Sequence, residues 1–275
     1  MNRSKAFGLA ATLAAALGGC GGGGDDPVVA TGPASAPRVA EGAYALDNDD
    51  GSGIFLLVLE NDQLWGVYRL PPATGRAGGE HGGFVQGNGS SRDGNYTVAE
   101  LRDYNFLQGI VETSSLSATY APRERMDIAI TPVTPTPPAP PYQYTVTAAA
   151  VADYDYDQPA NAAAVAGQWP GFFGRTETGG IEVSEQGAVR GVASGFAPDG
   201  SIAYSCEFSG SLRARSSGRN VYDANFTLGN GCGSSDGESI AGVGFVTAPS
   251  SGPSQLVLML LDDSRSAGRT FVGQR

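Results

Sequence analysis

The sequence predicts an all-β protein built from two tandem antiparallel barrels of about eight strands each. Glycine and proline account for 41 and 17 of the 275 residues, and they separate many short runs rich in β-forming residues. Hydrophobic residues make up 41% of the chain, enough for a core, and helical periodicity is almost lacking. Short turns between consecutive runs favour a meander that closes on itself. A β-sandwich is the alternative architecture.

The first module is predicted over residues 41–150. Its clearest signal is the apolar run Ile54–Leu59, which a polar turn separates from a second run, Gln63–Tyr68. The proline-rich stretch 132–141 cannot donate to a strand ladder and predicts an extended surface loop. The other predicted strands are Gly83–Gln86, Tyr96–Leu101, Ser115–Tyr120, Met126–Thr131 and Tyr142–Ala150.

The second module is predicted over residues 166–275, after a linker at 151–165. A turn at Ser216-Ser217-Gly218 should place Cys206 near residue 227 of the following strand. The predicted strands are Gln168–Arg175, Gly180–Ser184, Ala188–Ala193, Ile202–Leu212, Val221–Leu228, Ser239–Thr247, Gln255–Leu261 and Thr270–Gly273.

An internal repeat relates the two modules. Gly83-Phe84 also resembles Gly195-Phe196, at a shorter offset. The alternative explanation is that β-hairpins in general share glycines and apolar alternation. Six residue pairs share one offset of 125 positions: Gly42 and Gly167, Tyr44 and Trp169, Leu56 and Ile181, Val58 and Val183, Leu64 and Val189, Gly66 and Gly191.

The N-terminus has the three parts of a secretory signal: a basic start, an apolar centre from Ala6 to Leu17, and small residues. The centre is too short to span a bilayer, which needs about 20 residues. Leu17-Gly18-Gly19-Cys20 resembles the bacterial lipoprotein signal. The resemblance implies that residues 1–19 are removed and that Cys20 is lipidated. Residues 20–40 are mainly Gly, Asp, Pro, Ala and Ser with little to bury, and this composition predicts a flexible tether. An ordinary secreted protein is the alternative.

The same resemblance favours the outer membrane, because Gly21 rather than Asp follows Cys20, and Asp there usually signals retention at the inner membrane. The face of that membrane stays undetermined. Three stretches, Val58–Trp65, Arg215–Tyr222 and Ser264–Gly268, resemble lipoproteins of proteobacteria, which implies no particular activity. In architecture only, tethered small barrels are similar to the transferrin-binding and factor-H-binding surface lipoproteins.

With Cys20 lipidated, Cys206 and Cys232 remain, and an even pair in an oxidising compartment predicts a disulfide. The net charge of −11 becomes −13 once Arg3 and Lys5 are removed. An acidic surface repels phosphate backbones, so no nucleic-acid partner is expected. We expect partners of two kinds, the membrane through the lipid and an unidentified protein or small-molecule ligand.

Catalytic chemistry is not expected. His81 is the only histidine of the chain, and no nucleophile elbow lies near it. A zinc site needs more Cys and His ligands than the chain offers, and no phosphate-binding loop occurs. We therefore predict no catalytic residues and no cofactor. A glycan hydrolase with paired carboxylates stays as the least favoured alternative, behind a structural or assembly role in the envelope.

Two sets of residues are candidates for binding. Four aromatic side chains could line a ligand cavity, although filling of the core explains them better. Six aspartates lie in two oxygen-rich stretches that could hold calcium, although neither fits the twelve-residue calcium loop and solvated turn carboxylates explain them better. The aromatic residues are Tyr44, Trp65, Tyr68 and Trp169, and the aspartates are Asp47, Asp49, Asp50, Asp153, Asp155 and Asp157.

Overall fold

Sixteen strands make up most of the chain that the computed structural model describes, which comprises residues 39–71, 81–133, 141–151, 153–248 and 252–275. The predicted signal peptide, Cys20 and the tether up to residue 38 lie outside the described residues, as does most of the proline-rich loop. Ala40, which the sequence assigned to the tether, packs into the core of the first barrel. No helix within the described ranges is long and apolar enough to cross a membrane.

Two closed eight-stranded barrels follow each other along the chain, each with its strands in sequential order. The predicted architecture is therefore confirmed, and the sandwich alternative is wrong. Barrel 1 contains β1 (Gly42–Asp47), β2 (Gly53–Val58), β3 (Gln63–Arg69), β4 (His81–Arg92), β5 (Asn95–Asn105), β6 (Ile110–Ala121), β7 (Arg125–Pro132) and β8 (Tyr142–Thr147). Barrel 2 contains β9 (Gly167–Phe173), β10 (Glu177–Val183), β11 (Ala188–Phe196), β12 (Ile202–Ala214), β13 (Tyr222–Leu228), β14 (Ser239–Thr247), β15 (Gln255–Asp262) and β16 (Gly268–Gln274).

Short helical turns connect the barrels. The chain leaves β8 through a 3₁₀ turn, Ala148–Val151, so the prediction that this strand continues to Ala150 was too long. The alanine-rich segment before barrel 2 forms one helical turn, α1 (Ala162–Val165). Asn161 caps it, because its side-chain oxygen accepts from the backbone N–H of Ala163.

The strand register reproduces the internal repeat. Tyr44 lies opposite Leu56 between β1 and β2, and Trp169 lies opposite Ile181 between β9 and β10. Three further pairs of opposing residues match between the barrels. Gly42 lies opposite Val58 as Gly167 lies opposite Val183, Val58 opposite Leu64 as Val183 opposite Val189, and Leu56 opposite Gly66 as Ile181 opposite Gly191.

One part of the proposed repeat is wrong. Gly83-Phe84 lies in β4, which is the fourth strand of barrel 1, whereas Gly195-Phe196 ends β11, the third strand of barrel 2. The two dipeptides therefore do not occupy equivalent places. Their similarity reflects only the common use of glycine beside an aromatic residue in strands.

The predicted disulfide between Cys206 and Cys232 is present. The predicted register beside it was wrong by three residues. Phe208 pairs with Leu228, which places Cys206 opposite residue 230 rather than 227. The reason is the turn between β12 and β13, which spans residues 215–221 and is longer than the predicted three-residue turn.

Side chains fill the interiors of both barrels. Tyr44 and Trp169 are fully buried at equivalent places, so the repeat sets the first layer of each core. Barrel 1 is filled mainly by Tyr44, Leu56, Val58, Leu64, Val85, Tyr96, Val98, Leu101, Leu116, Tyr120, Met126, Ile128 and Val146. Barrel 2 is filled mainly by Trp169, Phe173, Ile181, Val183, Val189, Phe208, Leu212, Tyr222, Phe226, Leu228, Ile240, Leu256, Leu258, Leu260 and Phe271.

The outer faces of the barrels also pack on each other. In a barrel surrounded by water, the outward-facing residues of each strand would be polar. Strand β15 is instead apolar on both faces, because one face fills barrel 2 and the other lies in this interface. The shared cluster contains Leu57, Leu59, Trp65, Val67, Phe84 and Tyr104 from barrel 1, Tyr154 and Tyr156 from the linker, and Val221, Val243, Phe245, Val257, Met259, Leu261 and Val272 from barrel 2.

A charged network reinforces this interface where the chain enters barrel 1. Arg219 of barrel 2 donates to buried Glu41 and, at 2.6 Å, to Asp157 of the linker. Arg123 of barrel 1 pairs with the same Asp157 at 3.0 Å and lies 4.7 Å above the ring of Tyr156. The network therefore joins both barrels, the linker and the entering chain.

Candidate functional site

A cleft of about 250 Å³ lies where the two barrels and the linker meet, and we call it the inter-barrel cleft. Strands β1 to β4, the linker, and strands β14 and β15 all contribute to its walls. Ligand sites commonly form at such junctions, where a mostly apolar wall carries a few convergent polar groups. The lining residues are Ala45, Asp47, Gly53, Ile54, Phe55, Val67, Arg69, His81, Val151, Asp153, Tyr154, Phe245, Thr247, Gln255 and Val257.

Three aromatic rings from three segments form one wall of the cleft. Phe55 of β2 stacks on Phe245 of β14, with ring centroids 4.3 Å apart and planes 13° from parallel. Tyr154 of the linker meets both rings edge-on, at 5.4 and 5.5 Å. Phe245 and Tyr154 are buried, whereas Phe55 is partly exposed. The wall exists only when barrel 1, the linker and barrel 2 are assembled.

An ion pair lies at the barrel 1 side of the cleft. Asp47, Gly53 and Arg69 occupy neighbouring positions across β1, β2 and β3. Glycine is needed in the middle, because a Cβ on Gly53 would lie 2.6 Å from the backbone carbonyl oxygen of Leu46 and 2.8 Å from the Asp47 carboxylate. Arg69 donates to Asp47 across this gap, so the two charges largely cancel.

His81 lies beside this ion pair, opposite Arg69 at a register shift between β3 and β4. Burial, and in second place the positive charge of Arg69, lowers the pKa of His81 to about 4, so the imidazole is neutral at pH 7. Its Nδ1 atom is buried and has no hydrogen-bond partner among the described residues. A buried ring nitrogen without a partner costs free energy, and because Nδ1 is shielded from solvent, a ligand reaches it only if the side chains that cover it move.

The linker brings the last polar group. The Asp153 side chain is exposed at the cleft and has no ion-pair partner in the part of the chain that the structure describes. Its backbone is held on barrel 2, because its carbonyl accepts from the N–H of Ala248 at 3.3 Å. The hydroxyl of Tyr154 donates to the carbonyl of Asn220, which ties the next linker residue to the same barrel.

None of the four aromatic candidates from the sequence lines the cleft. Tyr44 and Trp169 fill the barrels, where each donates a hydrogen bond of 2.8 Å to the carbonyl four residues earlier in the chain. Trp65 packs between the barrels on Phe84. Tyr68 donates to Asp103 at 2.8 Å inside barrel 1. Core filling therefore accounts for these residues better than a ligand does.

Asp103 is the carboxylate most perturbed by its surroundings. Burial raises its pKa to about 6 against the hydrogen bond from Tyr68, which lowers the pKa, and the charge of Glu112 adds to the rise. Glu112 faces Asp103 directly across β5 and β6. Neither carboxylate lines the inter-barrel cleft, so this pair is separate from the candidate site.

The structure brings only two of the calcium candidates together, since Asp47 and Asp153 both line the cleft. Asp49 is exposed. Asp50 and Asp155 accept from backbone N–H groups two residues later, as turn carboxylates do. Asp157 belongs to the charged network of the interface. Within the described ranges, no group of three or more Asp, Glu, His or Cys side chains is placed to hold a metal ion.

Two other surface features compete with the cleft. A concavity of about 600 Å³ on the outside of β5 to β8 is larger, but it is shallow and lined mainly by hydroxyl and methyl groups. Its carboxylate, Asp127, is already bound by Arg125 at 3.0 Å and by Thr145 at 2.8 Å. The second feature is the outer apolar face of β9 to β12, where four large side chains are about half exposed: Phe172, Val192, Phe196 and Ile202.

Comparison with known proteins adds no assignment, since neither a protein-family model nor a curated protein matches the chain. Sequence reasoning considered His81 only as a catalytic group and set it aside, and it did not select Arg69, Phe55 or Phe245; the structure places His81 at the start of β4. No short motif could have selected them, because the cleft joins three segments of the chain, of which Val151 follows His81 by 70 positions and Phe245 follows Tyr154 by 91. Of the candidate binding residues that the sequence predicted, only Asp47 and Asp153 line the cleft.

Proposed function

We propose that this chain is a non-enzymatic, lipid-anchored binding protein of the outer membrane that takes a small ligand in the inter-barrel cleft. The observation that carries the proposal is the convergence of Phe55, His81, Asp153 and Phe245 at one concave junction. The barrel interiors are filled, which disfavours a ligand held inside either barrel. Polar groups without partners in a partly apolar cleft favour binding of a small molecule.

The anchor part of the proposal is supported by the Leu17-Gly18-Gly19-Cys20 motif and is tested on the full-length precursor. Cys20→Ala should abolish labelling with radioactive palmitate and move the protein out of the membrane fraction. The double variant Cys206→Ala/Cys232→Ala is the control, because it removes the other two cysteines without touching the motif and should label normally. Palmitate labelling of the Cys20→Ala protein at the normal level would refute the anchor.

The cleft part is tested with small aromatic compounds of positive, neutral and negative charge. Compounds that bind should shift the amide signals of Gly53, Thr247 and Gln255 in heteronuclear NMR spectra. Thr247→Trp, which fills the cleft, should abolish these shifts. Thr119→Trp, placed in the shallow concavity on barrel 1, should leave them unchanged. Shifts that map elsewhere, or that persist in Thr247→Trp, would contradict the assignment.

A protein partner is the second candidate function, and the outer apolar face of β9 to β12 favours it. Monomeric proteins seldom expose several large apolar side chains together unless the surface is used. A photo-crosslinking amino acid at Phe196 should capture a defined partner in intact cells. The same group at Thr227 should not, because this exposed residue of β13 pairs with Ser209, seven residues further along β12 than Ile202. Equal capture at both positions would indicate nonspecific contact and would remove this candidate.

A further inference from the structure

We propose that the inter-barrel cleft selects an organic cation, namely an ammonium group carried on a small aromatic or aliphatic body. This inference rests on the proposed function, because it names the class of ligand for the same cleft. It follows from the charges and the rings that the cleft presents together.

The charges of the cleft leave one carboxylate uncompensated. Arg69, the cationic side chain of the lining, is already paired with Asp47 across Gly53. Asp153 has no cationic partner in the described ranges, so the lining carries one net negative charge once His81 is counted as neutral. An anionic ligand would have to displace Asp47 from Arg69 and approach Asp153, so it is disfavoured by charge.

The imidazole of His81 fits the same class of ligand. A neutral imidazole has one nitrogen that accepts a hydrogen bond, and a ligand ammonium group donates up to three. His81 lines the cleft, and its Nδ1 lacks a partner among the described residues but is shielded from solvent, so a ligand donor would satisfy it after a small movement of the side chains that cover it. Asp153 and His81 would then accept from one ammonium group, or from two donors of one ligand.

The aromatic wall supplies the remaining selectivity. The faces of aromatic rings attract cations, and Phe55, the partly exposed ring of the three, is backed by buried Phe245 and Tyr154. Val67, Val151 and Val257 give the apolar surface that the body of the ligand would cover. A bare metal ion would use none of these groups, and the described residues offer no cluster of three metal ligands.

The test compares three probes of nearly equal shape on the folded mature protein: benzylamine, benzyl alcohol and benzoate. Binding is followed at pH 7 through the amide shifts of Gly53, Thr247 and Gln255. Benzylamine should bind about tenfold more tightly than benzyl alcohol, and benzoate should bind least tightly. Asp153→Asn should weaken benzylamine about threefold, because the lost pairing is solvent-exposed, and should leave benzyl alcohol unchanged.

Two variants serve as controls for charge and for the rings. Asp155→Asn removes the same charge two residues away, outside the cleft, and should leave benzylamine affinity unchanged. Phe55→Leu keeps an apolar wall but removes a ring, and should weaken benzylamine about threefold while affecting benzyl alcohol less. Equal losses in Asp153→Asn and Asp155→Asn would show a long-range charge effect and would overturn the proposed selection.

The outcomes separate the ligand class from the proposed function. If benzyl alcohol or benzoate binds in the cleft as tightly as benzylamine, the cation class is wrong while binding in the cleft stands. If none of the three probes shifts the cleft amides, both the class and the cleft assignment fail. Calcium chloride is added as a fourth arm, and calcium that shifts these amides where benzylamine does not would also overturn the proposal.

Discussion

The two barrels share the arrangement of their first core layer but differ in the residues that fill the rest of each core. Each starts with a glycine two residues before a fully buried aromatic residue, Tyr44 or Trp169, that donates to a carbonyl four residues earlier. Beyond that layer, tyrosine hydroxyls organise barrel 1, as in the bonds from Tyr96 to Asp62 and from Tyr68 to Asp103. In barrel 2 the hydroxyl of buried Tyr222 donates to the carbonyl of Asn161 at 2.7 Å, and the other central rings beyond Trp169 are phenylalanines.

Barrel 2 relies on apolar rings and a covalent bond. Phe173 lies 5.4 Å from Phe208 and 4.6 Å from Phe271, and the Cys206–Cys232 disulfide closes the loop after β13. The seam of each barrel is the pairing of its first and last strands. In barrel 2, β9 and β16 pair at three residues, whereas in barrel 1, β1 and β8 pair at one. A polar core fixes geometry through hydrogen bonds, whereas a ring core supplies burial and tolerates small shifts. The cleft is lined by both barrels, and barrel 1, which has the weaker seam, contributes more of the lining residues.

The largest expected effect comes from truncating the matched aromatic residues. Trp169→Ala and Tyr44→Ala should each lower the free energy of unfolding by about 3–5 kcal/mol, because each leaves a large cavity in a closed barrel. Phe172→Ala is the control, since its ring is 57% exposed and should cost far less. Urea denaturation followed by circular dichroism measures all three. If only one of the two core variants lowers the free energy of unfolding by a large amount, Tyr44 and Trp169 do not have equivalent roles in their barrels.

Removing the disulfide should act on barrel 2 alone. The bond joins cysteines 26 residues apart, and its loss in Cys206→Ser/Cys232→Ser should destabilise by about 2–4 kcal/mol. Hydrogen exchange should then quicken in β12 and β13 while β5 and β6 keep their protection. Equal acceleration of exchange in both barrels would show that they unfold as one unit, and that the disulfide does not stabilise barrel 2 separately from barrel 1.

Acid should act on barrel 1 through two groups of opposite sign. The pKa of His81 is lowered to about 4, so its contribution to stability is present above pH 6.5 and is lost as pH falls toward 4. The pKa of Asp103 is raised to about 6, so its contribution is present below pH 3.8 and is lost as pH rises through 6. Between pH 4 and 6 the two effects oppose each other.

Single variants should separate these effects in urea titrations at pH 7 and pH 4.5. His81→Gln should lose less stability than the unmodified protein on acidification, by an amount on the order of 1 kcal/mol. Asp103→Asn should lose more, because the gain from protonating Asp103 is gone. Identical pH dependence in both variants and the unmodified protein would show that neither group is perturbed as its burial implies.

The sequence specified the barrels well because alternation and turn residues act locally. It missed the length of β4 because the second half of that strand, from Gly87 to Arg92, has almost no apolar residues. The structure explains the glycines there, since a Cβ on Gly89 would lie 2.3 Å from the hydroxyl of Tyr96. The cleft was beyond sequence reasoning for another reason. Its geometry depends on how two separately predictable barrels pack, and no local pattern encodes that packing.

The smallest expected effect concerns the hydrogen bond that Tyr44 makes in barrel 1 and Trp169 makes at the equivalent place in barrel 2. Tyr44→Phe keeps the ring and removes only the hydroxyl, which donates to the carbonyl of Ala40 at 2.8 Å. The cost should be about 1 kcal/mol, since the buried carbonyl then lacks this partner. Tyr142→Phe, at a side chain that is 55% exposed, should cost almost nothing.

The position of that bond makes its loss visible in a second way. Ala40 is also held through its backbone N–H, which donates to the hydroxyl of Ser91 at 3.0 Å. If the Tyr44 hydroxyl positions the entering chain, hydrogen exchange at Ala40 should quicken in Tyr44→Phe while exchange in β12 stays unchanged. If exchange at Ala40 is unaffected, the aromatic residue serves the core alone, and the resemblance to Trp169 is one of volume rather than of hydrogen bonding.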